Sequence, residues 1–382
     1  MRTRVAIGAA AAAILLTLPT AGAVGGYAGL RAAGPEQVVF DWSRDSCVEG
    51  DIPDVPARAI RSADGMVQLI TSETSTRRLV GRDLDHVRRD CTVVMRSRHD
   101  ADPSAWDDNS WLEAPYTVDG KTVYALVHDE YHGSEHPGRC PSADLVKCWY
   151  NAVTLAVSHD GGASYSHAAA PAHLVAALPF RYVPDTGPVG IMGGSNIVRN
   201  PHDKAYYAFV YQEHPARRGA CLIRTKTLAQ PGSWRAWNGK AFALKLADPY
   251  RATAADPYGR LCAPLTPALV ESVSWNSALG RFVAIGSEQL VGGGARIFYA
   301  LSADLVHWGP LRTLLPVELT FTYRCGDADP VAYASLLDPT SPSRSFDVTG
   351  AHPYLYFTRF NYANCQMNFD RDLVRVPVEL TP

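Results

Sequence analysis

One pattern recurs along the chain and constrains its fold more than any other feature: a short β-prone run, a tight turn, and a second β-prone run rich in aromatics. It occurs at Ala57–Arg61 with the Asp64-Gly65 turn and Met66–Thr71, and again at Glu113–Val118, Asp119-Gly120 and Thr122–His128. The third copy is Ser195–Arg199, the turn Asn200–Asp203 and Tyr206–Tyr211; the fourth is Glu271–Trp275, Asn276–Gly280 and Phe282–Gly286. The fifth pairs Tyr333–Leu337 with Tyr354–Arg359 across a longer turn. Successive starts lie 56, 82, 76 and 62 residues apart, enough for a four-stranded antiparallel sheet plus loops in each interval. A single sheet of that size cannot bury both faces alone, so repeated sheets must stack on one another. Helical periodicity is nearly absent, apart from a short turn expected near Leu79–Val87.

The second half of the units also repeats. Ser158-x-Asp160-x-Gly162-x-Ser164-Tyr165 fits an Asp-box pattern, and Ser302-x-Asp304-Leu305-x-x-Trp308 and Thr225-x-Thr227-Leu228 occupy the equivalent place. In such hairpin turns a short polar side chain caps backbone N–H groups while an aromatic packs between sheets. Five sheets set radially give an all-β, five-bladed β-propeller with four-stranded antiparallel blades.

Around this repeat the chain carries other signals. Arg2 and Arg4 precede an apolar run from Val5 to Leu18, followed by Ala21-Gly22-Ala23. That layout reads as a secretory signal peptide over residues 1–23, leaving 24–382 as a single domain. The apolar run is shorter than the ~20 residues a spanning helix needs, so no integral membrane segment is expected after cleavage. Export makes the eight cysteines read as disulfides. Their order suggests 47–91, 140–148, 221–262 and 325–365, although sequence leaves the connectivity open. A net charge of −2 gives no electrostatic reason to expect nucleic acid. The protein is expected to be secreted and monomeric, with no cofactor.

The segments "WLEAPYTVDGKTVYAL", "ESVSWNSALGRFVAIG" and "ALSADLVHWGP" resemble the five-bladed propeller glycoside hydrolases of the arabinanase, xylosidase and invertase type. The resemblance implies acidic residues at the starts of the innermost strands, converging on a central pocket. One would act as base or nucleophile, one as proton donor, and a third would orient or tune them. If each blade's first strand starts on the functional face, its second strand returns there. Residues before the first strand and after the second then share a site, while the Asp-Gly and Asp-box turns fall opposite.

This filter selects few residues. Asp54, between prolines and just ahead of the first strand, is the candidate ionised carboxylate. Glu271 sits among apolar residues in Val270-Glu271-Ser272-Val273, where a carboxyl would be held protonated and serve as acid. Glu113 is comparable, a candidate for the acid or for the tuning group, and Arg58, His128, Glu130 and Asn196 are expected to contact substrate. Cleaving an acetal needs this pairing: a protonated acid at the leaving oxygen and an ionised carboxylate acting on water or the anomeric carbon. The third unit departs from the resembled families, carrying Ser195-Asn196 where another acid is expected.

Histidines 128, 132 and 136 with Glu130 do not spell a metal motif, and no metal is expected. Trp111, Tyr131, Trp149, Tyr150 and Trp275 read as core aromatics, of which one or two could stack on a sugar ring. The expected activity is hydrolysis of a neutral poly- or oligosaccharide containing arabinose, xylose or fructose. A noncatalytic carbohydrate-binding propeller is the first alternative. A sialidase-like enzyme is the second; it needs converging arginines, for which only Arg58 and Arg359 are well placed.

Overall fold

The computed structural model describes residues 28–382 apart from 72, 170, 171 and 252; the expected signal peptide lies outside the described residues. The chain is all-β with almost no helix: one four-residue α-helix, Trp42–Asp45, and short 3-10 turns accompany 25 strands among the described residues. Every copy of the sequence repeat becomes an antiparallel strand pair. Arg58–Arg61 pairs with Val67–Ile70, Asn109–Thr117 with Val123–His132, and Val198–Arg199 with Tyr206–Glu213. Leu269–Asn276 pairs with Arg281–Gln289, and Val331–Leu337 with Tyr354–Phe360.

Hydrogen bonding gathers these pairs into four sheets. The first runs in chain order from Arg58–Arg61 to Arg88–Met95. The largest joins two runs of antiparallel strands, because Val189–Met192 pairs in parallel with Trp149–Ser158. In the last sheet the N-terminal strands Gly29–Ala32 and Gln37–Phe40 both pair with Arg371–Thr381, tying the two ends of the described chain together. The range near Leu79–Val87, where a short turn was expected, begins inside the strand Thr76–Gly81, and the turn itself falls later, at Leu84–Asp85, where the His86 N–H donates to the Asp83 carbonyl at 3.2 Å. Alternation explains the strand: Leu79 is buried while its neighbours Arg78 and Val80 are half-exposed, a period of two.

Apolar clusters fill the spaces between successive strand groups. Ile60, Ile70 and Val94 pack on Leu112 and Val127; Leu126 and Leu155 pack with Val210 and Ile223. Val198, Phe209 and Leu222 meet Val273 and Phe282; Val283 and Ile297 meet Leu336 and Phe357. Leu337, Tyr356 and Leu373 then return to Leu69 and Leu79 of the first sheet. Sheet faces bury one another in turn, and the last covers the first. All four cysteine pairs form as the order suggested: 47–91, 140–148, 221–262 and 325–365.

The repeated turns act as caps. Ser158 Oγ accepts the Gly162 N–H at 2.8 Å and Asp160 Oδ1 the Ser164 N–H at 2.9 Å. Hydrogen bonds from Ser164 and Ser158, outweighing desolvation, hold the Asp160 carboxyl at about 2. In the fourth unit Ser302 Oγ accepts the Leu305 N–H and Asp304 Oδ1 the His307 N–H, while the Trp308 indole donates to the Leu305 carbonyl. Among the described residues no helix is long and apolar enough to cross a membrane.

Candidate active site

A cavity of about 470 Å³ opens at the end of the strands opposite those turns. Asp54, from the segment leading into the first sheet, and Glu113 and Glu271, from strands of two other sheets, all line it, together with His128 and Glu130. Aromatic walls come from Trp111, Trp149, Tyr211, Phe321 and Tyr333, and Glu213 and Arg218 close one side as an ion pair of 2.8 Å.

Asp54 is fixed from both its backbone and its side chain. Its N–H donates to the Thr71 carbonyl at 2.9 Å, and the Thr71 hydroxyl donates to the Val55 carbonyl, so the proline-flanked segment is pinned to the end of the second strand. Its carboxylate receives the Trp111 indole N–H at 3.1 Å, the Tyr333 hydroxyl at 3.2 Å, and the Arg371 guanidinium. Burial holds the Asp54 carboxyl above the usual range, and Arg371, Trp111 and Tyr333 offset only part of that rise.

Glu271 has the opposite surroundings. It is 2% exposed; Oε1 accepts the Ala334 N–H at 3.3 Å, Oε2 makes no hydrogen bond of good geometry, and the Ser287 side chain and the Tyr333 backbone are its other polar neighbours. Burial pushes this carboxyl up to about 7, with Ser287, the Ala334 N–H and Arg58 offsetting only part of it. Glu113 is likewise raised by burial, against the pull of His128 and Arg58. Two carboxyl groups in one cavity are therefore held differently, one by a cation and two donors in direct contact, the other buried with no direct ion pair.

Strand irregularities aim these groups. The pairing register of Asn109–Thr117 shifts between Leu112 and Ala114, at Glu113; that of Leu269–Asn276 shifts between Val270 and Ser272, at Glu271. The strand Val331–Leu337 shifts between Ala332 and Ser335, where Tyr333 adopts φ +64°. A β-bulge breaks strict alternation and turns a side chain that would otherwise face a neighbouring sheet. A positive φ at a bulky tyrosine costs roughly 1–3 kcal/mol, held here by surrounding structure. In the third unit the corresponding place is Gly193-Gly194, and a Cβ on Gly193 would overlap the Glu113 carboxylate.

His128 and Glu130 alternate with buried neighbours on one strand and face the cavity opposite Trp111. His128 Nε2 lies 2.9 Å from Asn151 Oδ1, which also accepts the Trp149 indole N–H at 2.8 Å. Glu130 is held by His132 at 3.0 Å.

Arg58 and Asn196 stand elsewhere than the sequence suggested. Arg58, 2% exposed, lies off the cavity wall and donates to the backbone carbonyls of Glu113 at 3.0 Å, Gly194 at 3.1 Å and Glu271 at 2.6 Å. It thus ties three strand groups together, and burial lowers its guanidinium to about 10, still charged at neutral pH. Asn196 bridges backbones too, donating to the Val273 carbonyl at 2.8 Å and accepting the Val273 N–H at 2.9 Å. Their side chains are occupied by the carbonyls and N–H groups that strand interruptions leave unpaired.

Of the aromatics read as core, Tyr131 and Tyr150 are buried, whereas Trp111 and Trp149 line the cavity. Sequence reasoning did not find Arg371, 317 residues from Asp54, nor Tyr333 as its partner. Histidines 128, 132 and 136 do not converge: His132 lies between Glu130 and Glu135, and His136 turns to Asp108.

No protein-family model matches the sequence, and no curated protein matches it either. Solved structures similar to the chain are glycoside hydrolases of low sequence identity. A xylan beta-1,4-xylosidase from Bacillus halodurans is 14% identical with a TM-score of 0.47, over 86% of this chain and 53% of its own. An endo-arabinase from Bacteroides thetaiotaomicron is 12% identical with a TM-score of 0.48, over 90% and 98%. An alpha-L-arabinanase from Cellvibrio cellulosa, solved with arabinohexaose, is 12% identical with a TM-score of 0.48, over 85% and 91%. The chain thus spans about half the length of the xylosidase and nearly all of the two arabinanases.

Proposed function

We propose that the protein is a secreted glycoside hydrolase that cleaves a neutral poly- or oligosaccharide containing arabinose, xylose or fructose. The observation that carries the proposal is the unequal treatment of Asp54 and Glu271 within one cavity. Glu271, buried without a direct ion pair and raised to about 7, holds a proton near neutral pH and acts as general acid at the leaving oxygen. Asp54, paired with Arg371, is the ionised partner that serves as base or nucleophile. Glu113 tunes Glu271 through their shared partner Arg58.

Charge supports a neutral substrate. Five carboxyl groups line the cavity, of which Glu271 holds a proton, against Arg218, which Glu213 already engages, so the wall stays negative and an anionic sugar would be repelled. The same excess of negative charge stabilises an oxocarbenium-like transition state. A sialidase-like activity lacks its arginines here, because Arg58 holds backbone carbonyls and Arg359 pairs with Glu36 and Asp372. The architecture under this reading is a single five-bladed propeller over 24–382, acting as a monomer. It is supported by the apolar clusters between successive strand groups and by the final sheet's return to the first.

The test is reducing-sugar release from a panel of arabinan, xylan and fructan oligomers by the intact protein and by Asp54→Asn and Glu271→Gln. Cleavage of one substrate class that both variants lose is expected. Binding of these glycans without cleavage at any pH would replace the hydrolase by a noncatalytic binding protein.

A further inference from the structure

Outside the cavity, one group of side chains has a geometry that neither packing nor the proposed hydrolysis uses. Asp108 immediately precedes the strand Asn109–Thr117 and is 1% exposed. Its Oδ1 faces two imidazoles: His99 Nδ1 at 2.7 Å and His136 Nε2 at 2.9 Å. The three donor atoms lie within 4.8 Å of one another, and the rings sit 4.7 Å apart, tilted by 39°. We infer that His99, Asp108 and His136 form a binding site for a divalent transition-metal ion of the zinc class.

The donor set fits that class. Two imidazole nitrogens and one carboxylate oxygen suit zinc, nickel or cobalt, whereas calcium and magnesium call for oxygen donors throughout. Tetrahedral zinc with bonds of about 2.0–2.1 Å spaces its ligands roughly 3.3 Å apart. The present N···O separations of 2.7 and 2.9 Å need open by only about half an ångström to admit the ion. His99 is exposed, so an ion from solvent can reach the group.

The surroundings orient the ligands, as outer-shell partners of metal sites do. Asp108 Oδ2 accepts the His132 N–H at 2.8 Å, and its own N–H donates to Asp129 Oδ1 at 2.9 Å. His136 stacks on Tyr131, whose hydroxyl donates to the Ala101 carbonyl. His99 is held at φ +54°, a left-handed conformation uncommon for histidine that aims its ring at the other two. The site also reaches the cavity: His132, held by Asp108 through its N–H, grips Glu130 on the wall through its ring. All eight cysteines are in disulfides, so no thiolate competes for the ion.

The experiment uses full-length protein without a histidine tag, stripped with chelator and titrated with Zn2+ by calorimetry and Co2+ by visible absorption. One equivalent of each is expected, with the d–d bands of low-coordinate Co2+. His99→Asn keeps a residue tolerant of the left-handed backbone, and His136→Ala removes the second nitrogen. Each is expected to weaken Zn2+ binding at least about 100-fold, beyond the usual effect of losing an outer-shell partner. His307→Asn, remote and paired with Asp304, is expected to leave binding unchanged. The inference is overturned if the intact protein takes up no Zn2+ below millimolar concentration. It is equally overturned if binding survives His99→Asn and His136→Ala together in protein whose circular dichroism matches the parent.

Discussion

Glu271→Gln should make the protein inactive and, at alkaline pH, more stable. The buried carboxyl rises from an ordinary value of 4.5 to about 7. Each pKa unit corresponds to about 1.4 kcal/mol, so burying the charged form costs about 3 kcal/mol. The sign follows from proton counting. Between pH 4.5 and about 7 the folded chain keeps a proton that the unfolded chain has released. Stability from this group is thus fully present below pH 4.5, falls as pH rises through that window, and stays low above it. Glutamine has no proton to lose, and its packing and hydrogen-bond differences enter at every pH alike. Urea denaturation at pH 5 and pH 8 isolates the effect: the variant should gain about 2–3 kcal/mol on the parent between the two conditions. In parallel, kcat/KM of the parent should fall above a midpoint near 7 as the acid ionises. If the stability difference between variant and parent is the same at both pH values, Glu271 is not a buried titrating acid and the mechanism built on it fails.

Other outcomes follow from the same contacts. Asp54→Asn should lower kcat by at least about 100-fold while leaving Tm within a few degrees, and unchanged turnover would remove Asp54 from the chemistry. Arg371→Met withdraws the positive charge beside Asp54, so its carboxyl rises further and the acid limb of the pH–rate profile moves to higher pH; a limb that stays put refutes the ion pair's role. Gly193→Ala forces a methyl group into the Glu113 carboxylate, and kcat/KM should drop more than about 10-fold with a stability loss of only about 1–3 kcal/mol. Arg58→Met leaves three backbone carbonyls without their cation, and chemical denaturation should show a loss of about 3 kcal/mol or more; a cost under about 1 kcal/mol would mean that Arg58 does not join the strand groups.

The strand pairs and their capped turns were legible in the sequence because both are local. Alternation of apolar residues sets a strand's two faces, and short polar side chains such as Asp160 and Asp304 satisfy N–H groups only a few residues away. Placing Asp54, Glu113 and Glu271 at strand starts was likewise enough to bring them to one cavity. Local pattern could not show which polar groups face that cavity and which hold the backbone. Arg58 opens its expected strand and Asn196 lies just ahead of Val198–Arg199, yet interrupted strands leave carbonyls and N–H groups that these side chains satisfy. The bulges at Glu113, Glu271 and Tyr333 depend on how neighbouring sheets meet, and a one-residue register shift has no signature in a single strand. The sequence by itself determined an all-β chain of repeated hairpins with acids at their starts. Only the tertiary structure decided that Asp54 meets a cation from 317 residues away while Glu271 is buried without a direct ion pair, because charge and burial depend on what the fold brings alongside.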